Sequence, residues 1–285
     1  IGEKYIRYFA KPDSIDGDRL TQIKAKGIKK LFIVHDDEPE YLAYLDQGLA
    51  TITKPGGATL EEKADIAGQT LMRIAGKPQD VIARGEMGIK EAGDRIDKVA
   101  VFLKSETGAL RSMLESSGIS VDDVGHGANV AAVSLALAQR AGITDSKELS
   151  ELALAALLHD VSCADLGVPA WADPAKLELD VRTRYETHPT ASAEKAAQNP
   201  SMPRRLIDLI LNHEEKGEGR GFPGKKILTQ LPLTQQILNL ADAYDHLCSD
   251  LKLPPLDAHK TFLTSQMGLY DLALIQSLGG LIRGE

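Results

Sequence analysis

The chain has 285 residues, of which 43% are hydrophobic and 26% are charged, so it can bury a sizeable core and is not expected to be disordered. Its formal net charge of -8 argues against a protein whose main task is to grip a nucleic-acid backbone. The apolar runs of the sequence are far shorter than the roughly 20 residues that span a bilayer. Two cysteines, Cys163 and Cys248, are too few for a disulfide framework. We therefore expect a cytoplasmic protein without a membrane segment.

Residues 1–55 predict a small α/β module. Two β-like runs, residues 5–9 and 31–34, flank an amphipathic helix around residues 20–26. A Pro-Gly-Gly breaker then ends the pattern. The sequence does not indicate what this module does.

Residues 56–118 predict a helical linker. Apolar side chains recur every three or four positions, and an interruption at residues 76–78 is followed by one long helix over about residues 80–114. The apolar positions of this helix suit packing between domains or in a homodimer. Packing into a common core is the alternative.

Residues 119–285 predict an all-α bundle, so the fold of the whole chain is expected to be α+β. The apolar periodicity predicts helices over residues 121–141, 146–159, 182–198, 203–212, 233–247 and 258–278. Every histidine except His35 falls in this helical half.

Histidines and carboxylates of the bundle indicate a metal site. The pair His159-Asp160 closes an apolar helix, and a buried carboxylate without a partner is costly, so a cation is a ready companion. Taken alone, a histidine on a helix is more often a hydrogen-bonded core or surface group than a ligand. The set as a whole favours metal, because its members lie on or beside different helices. The candidates are His126, His159, Asp160, His188, His213 and Asp242.

Six short motifs follow one another in this half. They are His126-Gly127, His159-Asp160, His188-Pro189, His213-Glu214-Glu215, the run from Glu218 through Gly219, Arg220, Gly221 and Phe222 to Pro223, and Ala241-Asp242-Ala243-Tyr244-Asp245. In this order they resemble the HD-GYP family of the HD phosphohydrolase superfamily, over about residue 121 to the C-terminus. The resemblance implies an HD-type helical domain with two metal ions, iron first and manganese second, and hydrolysis of the bacterial second messenger cyclic di-GMP.

The resemblance also implies roles for individual residues. Asp160 takes the position that is expected to bridge two ions and serve catalysis, and Asp122 lies where some members carry a ligand for a third ion. Arg220 and Lys225 are candidates for contact with the phosphates of the substrate. The implied metal ligands are His126, His159, Asp160, His188, His213, Glu214 and Asp242.

Four positions depart from the family pattern, of which Glu218, in place of an aspartate, is the mildest change. Glu214 replaces an imidazole, and an oxygen ligand still suits iron or manganese. Phe222 replaces the tyrosine that gives the family its name and cannot donate a phenolic hydrogen bond. Cys163 replaces a lysine, which removes a contact worth about 10²- to 10³-fold in rate by analogy with an oxyanion donor. The thiol of Cys163 is either a weak ligand or, more simply, a small apolar side chain.

Two hypotheses follow for the function. The first is a metal-dependent cyclic di-GMP phosphodiesterase of weak activity, or a hydrolase of a related phosphoester. The second is a catalytically silent module that keeps a two-metal site, binds a cyclic dinucleotide or a protein partner of the same signalling system, and passes that state on. The nearly complete ligand set supports the first hypothesis, and the losses at Cys163 and Phe222 support the second.

Overall fold

The computed structural model describes residues 17–26, 34–54, 57–117, 122–170 and 174–285. The helices, in chain order, are α1 (Gly17–Ala25), α2 (Glu38–Leu49), α3 (Leu60–Gly76), α4 (Pro78–Ala83), α5 (Gly85–Ser105), α6 (Ala109–Ser117), α7 (Asp123–Arg140), α8 (Ser146–Leu158), α9 (Cys163–Leu166), α10 (Leu179–Tyr185), α11 (His188–Ala196), α12 (Arg204–Leu211), α13 (Leu233–Leu251), α14 (Pro255–Ser265) and α15 (Leu272–Arg283). Short 3₁₀ turns cover His35–Asp37, Pro174–Lys176 and Leu228–Gln230.

The chain divides into two compact units, residues 1–44 and residues 45–285. In the first unit, α1 confirms the helix that the sequence predicts near residues 20–26. The β-like run at residues 5–9, and all but the last residue of the second run, lie outside the described residues. The α/β character of this unit is therefore not confirmed.

The described part of the second unit is helical, apart from the isolated bridges Glu218 to Ile227 and Met267 to Tyr270. This confirms the predicted all-α bundle. Its centre is α7, whose side chains are buried from Gly125 to Ala138 because α3, α8 and α13 pack around it. None of the described helices is long and apolar enough to cross a membrane.

The prediction of one long helix over residues 80–114 is wrong. The segment forms α4, α5 and α6 instead. Gly85 begins α5 and Gly108 directly precedes α6, and their φ angles of 59° and 80° lie in the left-handed region that glycine adopts without strain. The breaks let the chain reverse, so Phe102 of α5 and Leu110 of α6 enter the same core as α7 and α8. Core packing thus accounts for the apolar face of this segment.

Two further predicted helices are also divided. The helix over residues 182–198 breaks between α10 and α11, where Pro189 sits in the first turn of the new helix, as is typical of proline. The helix over residues 258–278 breaks between α14 and α15, where Gly268 has a φ of 87°. The first of these breaks matters for the site, because it places His188 at the start of α11.

The contact between α4 and α5 yields a stability prediction. A Cβ atom at Gly88 would lie 2.8 Å from two backbone oxygens of α4, so we expect Gly88→Ala to destabilise the fold by about 1 to 3 kcal/mol. The matched control is Gly68→Ala in α3, where a Cβ meets nothing within 4 Å and alanine's helix propensity should be neutral or stabilising by up to about 1 kcal/mol. Urea unfolding of both variants measures the difference. Equal changes in the free energy of unfolding would contradict the close packing.

Candidate metal centre

Three histidines stand just beyond the C-terminal ends of helices. His159 follows α8, His188 follows α10 and His213 follows α12. Each donates its Nδ1–H to the carbonyl three residues earlier, at 2.6 to 2.7 Å. The last carbonyls of a helix lack partners within the helix, so these bonds satisfy them and leave each Nε2 free to face the interior.

His126 reaches the same interior from the first turn of α7. Its Nδ1–H donates to Oδ2 of Asp245 at 2.8 Å, and Oδ1 of Asp245 accepts from the amide of Asn129 at 2.9 Å. Asp245 therefore fixes the orientation of the His126 ring. Asp122, the candidate for a third ion, caps α7 by accepting from Gly125 N–H at 2.8 Å.

The Nε2 atoms form two close pairs. Those of His126 and His159 lie 3.2 Å apart, and those of His188 and His213 lie 2.8 Å apart. Nitrogens bound to one ion at about 2.1 Å are separated by about 3 to 3.4 Å, so the first pair matches the spacing of shared ligands and the second is slightly shorter.

Asp160 lies between the two pairs. Its Oδ2 is 3.1 Å from His159 Nε2, and its Oδ1 is 3.2 Å from His188 Nε2. One carboxylate therefore directs one oxygen to each imidazole pair. This is the placement that the bridging role predicted for Asp160 requires.

Asp242 completes the first of these groups. From the middle of α13, its Oδ1 lies 3.1 Å from Nε2 of His126 and 3.5 Å from Nε2 of His159. His246, one turn later on α13, places its Nε2 3.1 Å from the same oxygen. His246 is not among the ligands predicted from the sequence, although the spacing of four residues allows both side chains to share a face.

The arrangement of these nitrogen and oxygen atoms suits coordination of a cation better than hydrogen bonding among themselves. With Nδ1–H committed to a carbonyl or carboxylate, a neutral imidazole presents a lone pair at Nε2, and two such lone pairs repel. Both oxygens of Asp160, and Oδ1 of Asp242, are buried and have no hydrogen-bond donor of suitable geometry among the described residues. Buried polar atoms without partners are costly. Either extra protons or metal ions must fill the space between them.

The pKa values of these groups indicate where protons bind when no metal ion lies between them. Burial disfavours a charged imidazole, but Asp242 and Asp245 outweigh burial and raise the pKa of His126 to about 9. Burial also opposes ionisation of Asp160, yet His159, His188 and His213 hold the pKa of Asp160 well below its usual range. The group thus stores a proton on His126 that a metal ion can displace.

Glu214 stands beside the second imidazole pair. Its carboxylate lies within 4.8 Å of the ligand atoms of both His188 and His213. The buried Tyr185 donates its hydroxyl hydrogen to Oε1 of Glu214 at 2.8 Å, and the Tyr185 ring lies 4.6 Å from the His188 ring. The role of Tyr185 is not visible in the sequence, because the contact depends on how α10 approaches the segment after α12.

Cys163 is fully buried at the start of α9. Its Sγ lies within 4.8 Å of the ligand atoms of Asp160 and His188. Burial and the charge of Asp160 raise the pKa of its thiol. A protonated thiol therefore occupies the position where the family resemblance expects a lysine.

A cavity of about 200 Å³ opens onto the centre. Glu214, Asp242 and His246 belong to its lining, together with Lys216 and Tyr270. The predicted substrate contacts Arg220 and Lys225 are not part of this lining. Arg220 is 72% exposed and pairs with Glu218 at 3.0 Å, and Lys225 is exposed.

The structure thus brings together every predicted metal ligand and adds two residues to the set. The predicted ligands are His126, His159, Asp160, His188, His213, Glu214 and Asp242. The added residues are His246, which could itself coordinate, and Tyr185, which orients Glu214. The roles of all of them as ligands remain predictions.

Comparison with known proteins gives consistent matches. The family model of the HD domain matches residues 104–262. A cyclic di-GMP phosphodiesterase of Pseudomonas aeruginosa is 24% identical over 243 residues, which make up 81% of this chain and 58% of that protein. A cyclic di-GMP phosphodiesterase of Vibrio cholerae is 30% identical over 108 residues, or 36% of this chain and 22% of that protein. This chain therefore spans less than two thirds of either relative.

A solved structure also matches over nearly the whole chain. It is that of an HDG"Y"P protein from Bdellovibrio bacteriovorus, with a TM-score of 0.78 and 26% sequence identity. The match covers 99% of this chain and 92% of that one.

The contact between Tyr185 and Glu214 predicts a selective loss of metal. We expect Tyr185→Phe to weaken binding of one ion by about 10- to 100-fold, because partners that orient a ligand contribute about that much to affinity. The control is Tyr244→Phe, whose hydroxyl donates to the carbonyl of Pro255 at 2.7 Å, away from the centre. Metal content after dialysis against a chelator measures the effect. Equal retention by both variants would show that the Tyr185 hydroxyl does not position a ligand.

The raised pKa of His126 predicts how metal binding depends on pH. Below about pH 9 the metal-free protein holds a proton on His126, which an ion has to displace. Apparent affinity should therefore rise from pH 6.5 to pH 8.5, by about tenfold per pH unit for each proton displaced. Competition with a coloured chelator measures this slope, and Asp245→Asn should flatten it by lowering that pKa. A flat profile for the unaltered protein would exclude proton displacement.

Proposed function

This chain belongs to the HD domain family, as an HD-GYP protein, and from that premise we propose that it is a metal-dependent phosphodiesterase acting on cyclic di-GMP. The observation that carries the proposal is the placement of Asp160, which directs one carboxylate oxygen to each of two imidazole pairs. The matching relatives that carry the name cyclic di-GMP phosphodiesterase support the choice of substrate.

The proposed ligands form two groups that share Asp160. His126, His159 and Asp242 would hold one ion, and His188, His213 and Glu214 would hold the other. Cations bound there would supply Lewis acidity to a phosphoryl oxygen and would make water acidic enough to attack near neutral pH. The side chains of the protein fix the geometry for this, since Asp245 orients His126 and Tyr185 orients Glu214.

Iron is the proposed metal, with manganese as the second choice. Imidazole nitrogens and carboxylate oxygens suit both ions. The thiol of Cys163 lies near the second group, but its raised pKa keeps it protonated and therefore a poor ligand. Both cysteines are free and buried, which supports the proposal that the protein works in the reducing cytoplasm.

The proposed activity is weak. Cys163 cannot donate as a lysine does, and Phe222 packs its ring 6.0 Å from the His188 ring without a hydroxyl to offer. Loss of one donor to the transition state costs about 10²- to 10³-fold in rate. The ligand set is unaffected by either change, so slow hydrolysis is the expected result.

A silent metal-binding module is the second candidate. The observation that favours it is the uncharged thiol of Cys163 beside Asp160, where it can assist neither attack nor departure of an oxygen. Such a module would bind the cyclic dinucleotide or a protein partner in the same signalling system. A homodimer of this chain would also be compatible with such a signalling module.

Turnover of cyclic di-GMP, measured with the iron and manganese content of the same samples, tests the proposal. We expect two ions per chain and slow release of linear pGpG or GMP. Asp160→Ala should lose both metal and turnover. The control is Asp165→Ala, because Asp165 is exposed and pairs with Lys195 at 2.6 Å, and it should behave like the unaltered protein.

Two other results would contradict the proposal, each in a different way. Two bound ions without turnover would support the silent module. Protein that binds no ion when iron and manganese are supplied would overturn the ligand assignment itself.

A further inference from the structure

The cavity beside the metal centre has an acidic lining. Glu214, Asp242 and Asp250 contribute carboxylates to it, and Asp250 is neutralised in part by Lys176 at 2.7 Å. A phosphodiester carries negative charge, so it needs donors on the cavity wall in addition to any metal ion. Lys216 is the lysine that lines this cavity among the described residues.

Lys216 is half-buried, and its ammonium makes no hydrogen bond or ion pair with the described residues. Two neighbouring cations are already engaged. Lys226 donates to Oδ1 of Asn212 at 2.6 Å, and Arg220 pairs with Glu218. A half-buried lysine that faces a cavity without a partner is available to an anionic ligand.

Tyr270 offers a second donor in the same cavity. Its ring is buried, and its hydroxyl has no acceptor in the part of the chain that the structure describes. The buried tyrosines Tyr185 and Tyr244, by contrast, both donate to protein oxygens. Because Tyr270 lines the cavity and its hydroxyl has no acceptor among the described residues, the hydroxyl is left for a molecule that enters the cavity.

The backbone holds these two side chains on one wall. Gly217, next to Lys216, donates its N–H to the carbonyl of Leu269, next to Tyr270, at 2.8 Å. The carbonyl of Gly217 accepts in turn from Leu228 N–H at 3.0 Å. These backbone hydrogen bonds bring the segments of Lys216 and Tyr270 together, although the two residues are far apart in sequence.

We propose that Lys216 and Tyr270 form the phosphate-binding wall of this cavity, where the ammonium and the phenolic hydroxyl donate to oxygens of a phosphodiester held at the metal centre. The inference rests on the proposed function and names the residues that hold its substrate. It differs from the sequence-based assignment of Arg220 and Lys225, which lie outside the cavity lining.

Binding of inorganic phosphate to the full, metal-loaded chain tests this wall. We expect Lys216→Met to weaken phosphate binding about tenfold or more and Tyr270→Phe about threefold or more, as loss of hydrogen bonds to a charged group predicts. Lys216→Arg should restore most of the affinity. The control is Lys104→Met, because Lys104 is exposed on α5 and does not line the cavity. Calorimetry gives the affinities, and metal content is measured in every sample.

Unchanged phosphate affinity in Lys216→Met, with both ions bound, would overturn the proposal. So would a loss confined to Lys225→Met, which would place the phosphate on the outer loop. A fall in metal content in Lys216→Met that Lys216→Arg does not repair would also overturn it, since the effect would then be structural.

Turnover of cyclic di-GMP by the same samples separates this inference from the proposed function. If the unaltered protein hydrolyses the dinucleotide, Lys216→Met should raise KM more than it lowers kcat, and an unchanged KM would refute the phosphate wall alone. If phosphate binding depends on Lys216 while the dinucleotide is not hydrolysed, the wall stands and the proposed reaction fails.

Discussion

The carboxylate of Asp160 and the four imidazoles around it are held so close that their charges must be balanced. Both oxygens of Asp160 are buried without a hydrogen-bond donor of suitable geometry, and each faces a pair of Nε2 atoms. Neutral imidazoles leave the carboxylate without compensation, and fully protonated ones repel one another. Two cations between the pairs, as proposed, would resolve both problems. The surrounding bundle can be understood as the scaffold that keeps these groups at this distance.

The bundle positions most of the candidate ligands at the ends of helices rather than on their faces. His159, His188 and His213 each replace a missing intrahelical donor at the end of a helix, so one hydrogen bond both terminates the helix and sets the ring orientation. His126 is the exception, since it lies in the first turn of α7 and relies on Asp245 for its orientation. The breaks that divide the C-terminal half into short helices therefore create positions for ligands.

Much of this centre could be predicted from sequence, and the reasons differ by residue. His159 and Asp160 are adjacent after an apolar helix, so their joint burial follows from local pattern alone. His246 follows Asp242 by one turn and could have been inferred from helical spacing.

Tyr185 could not be inferred from the sequence, because its contact with Glu214 joins segments that only tertiary packing brings together. The division of the segment over residues 80–114 was likewise missed, since the apolar spacing continues through glycines that turn the backbone. Lys216 and Tyr270 line one cavity because tertiary packing, including the hydrogen bond between Gly217 and Leu269, brings their segments together.

The proposed ligands come from segments spread between α7 and α13. Metal binding would therefore affect how long the folded protein persists in a cell. Ions held by groups so far apart in sequence act on the unfolded chain as a crosslink does, and closing a loop of about 100 residues is worth about 5 kcal/mol in the chain-entropy treatment of disulfides. Unlike a disulfide, this crosslink forms from the local ion supply and needs no oxidant. A chain starved of metal would open more often and be degraded by proteases. Metal availability would then set how much of the protein persists, separately from how fast it works.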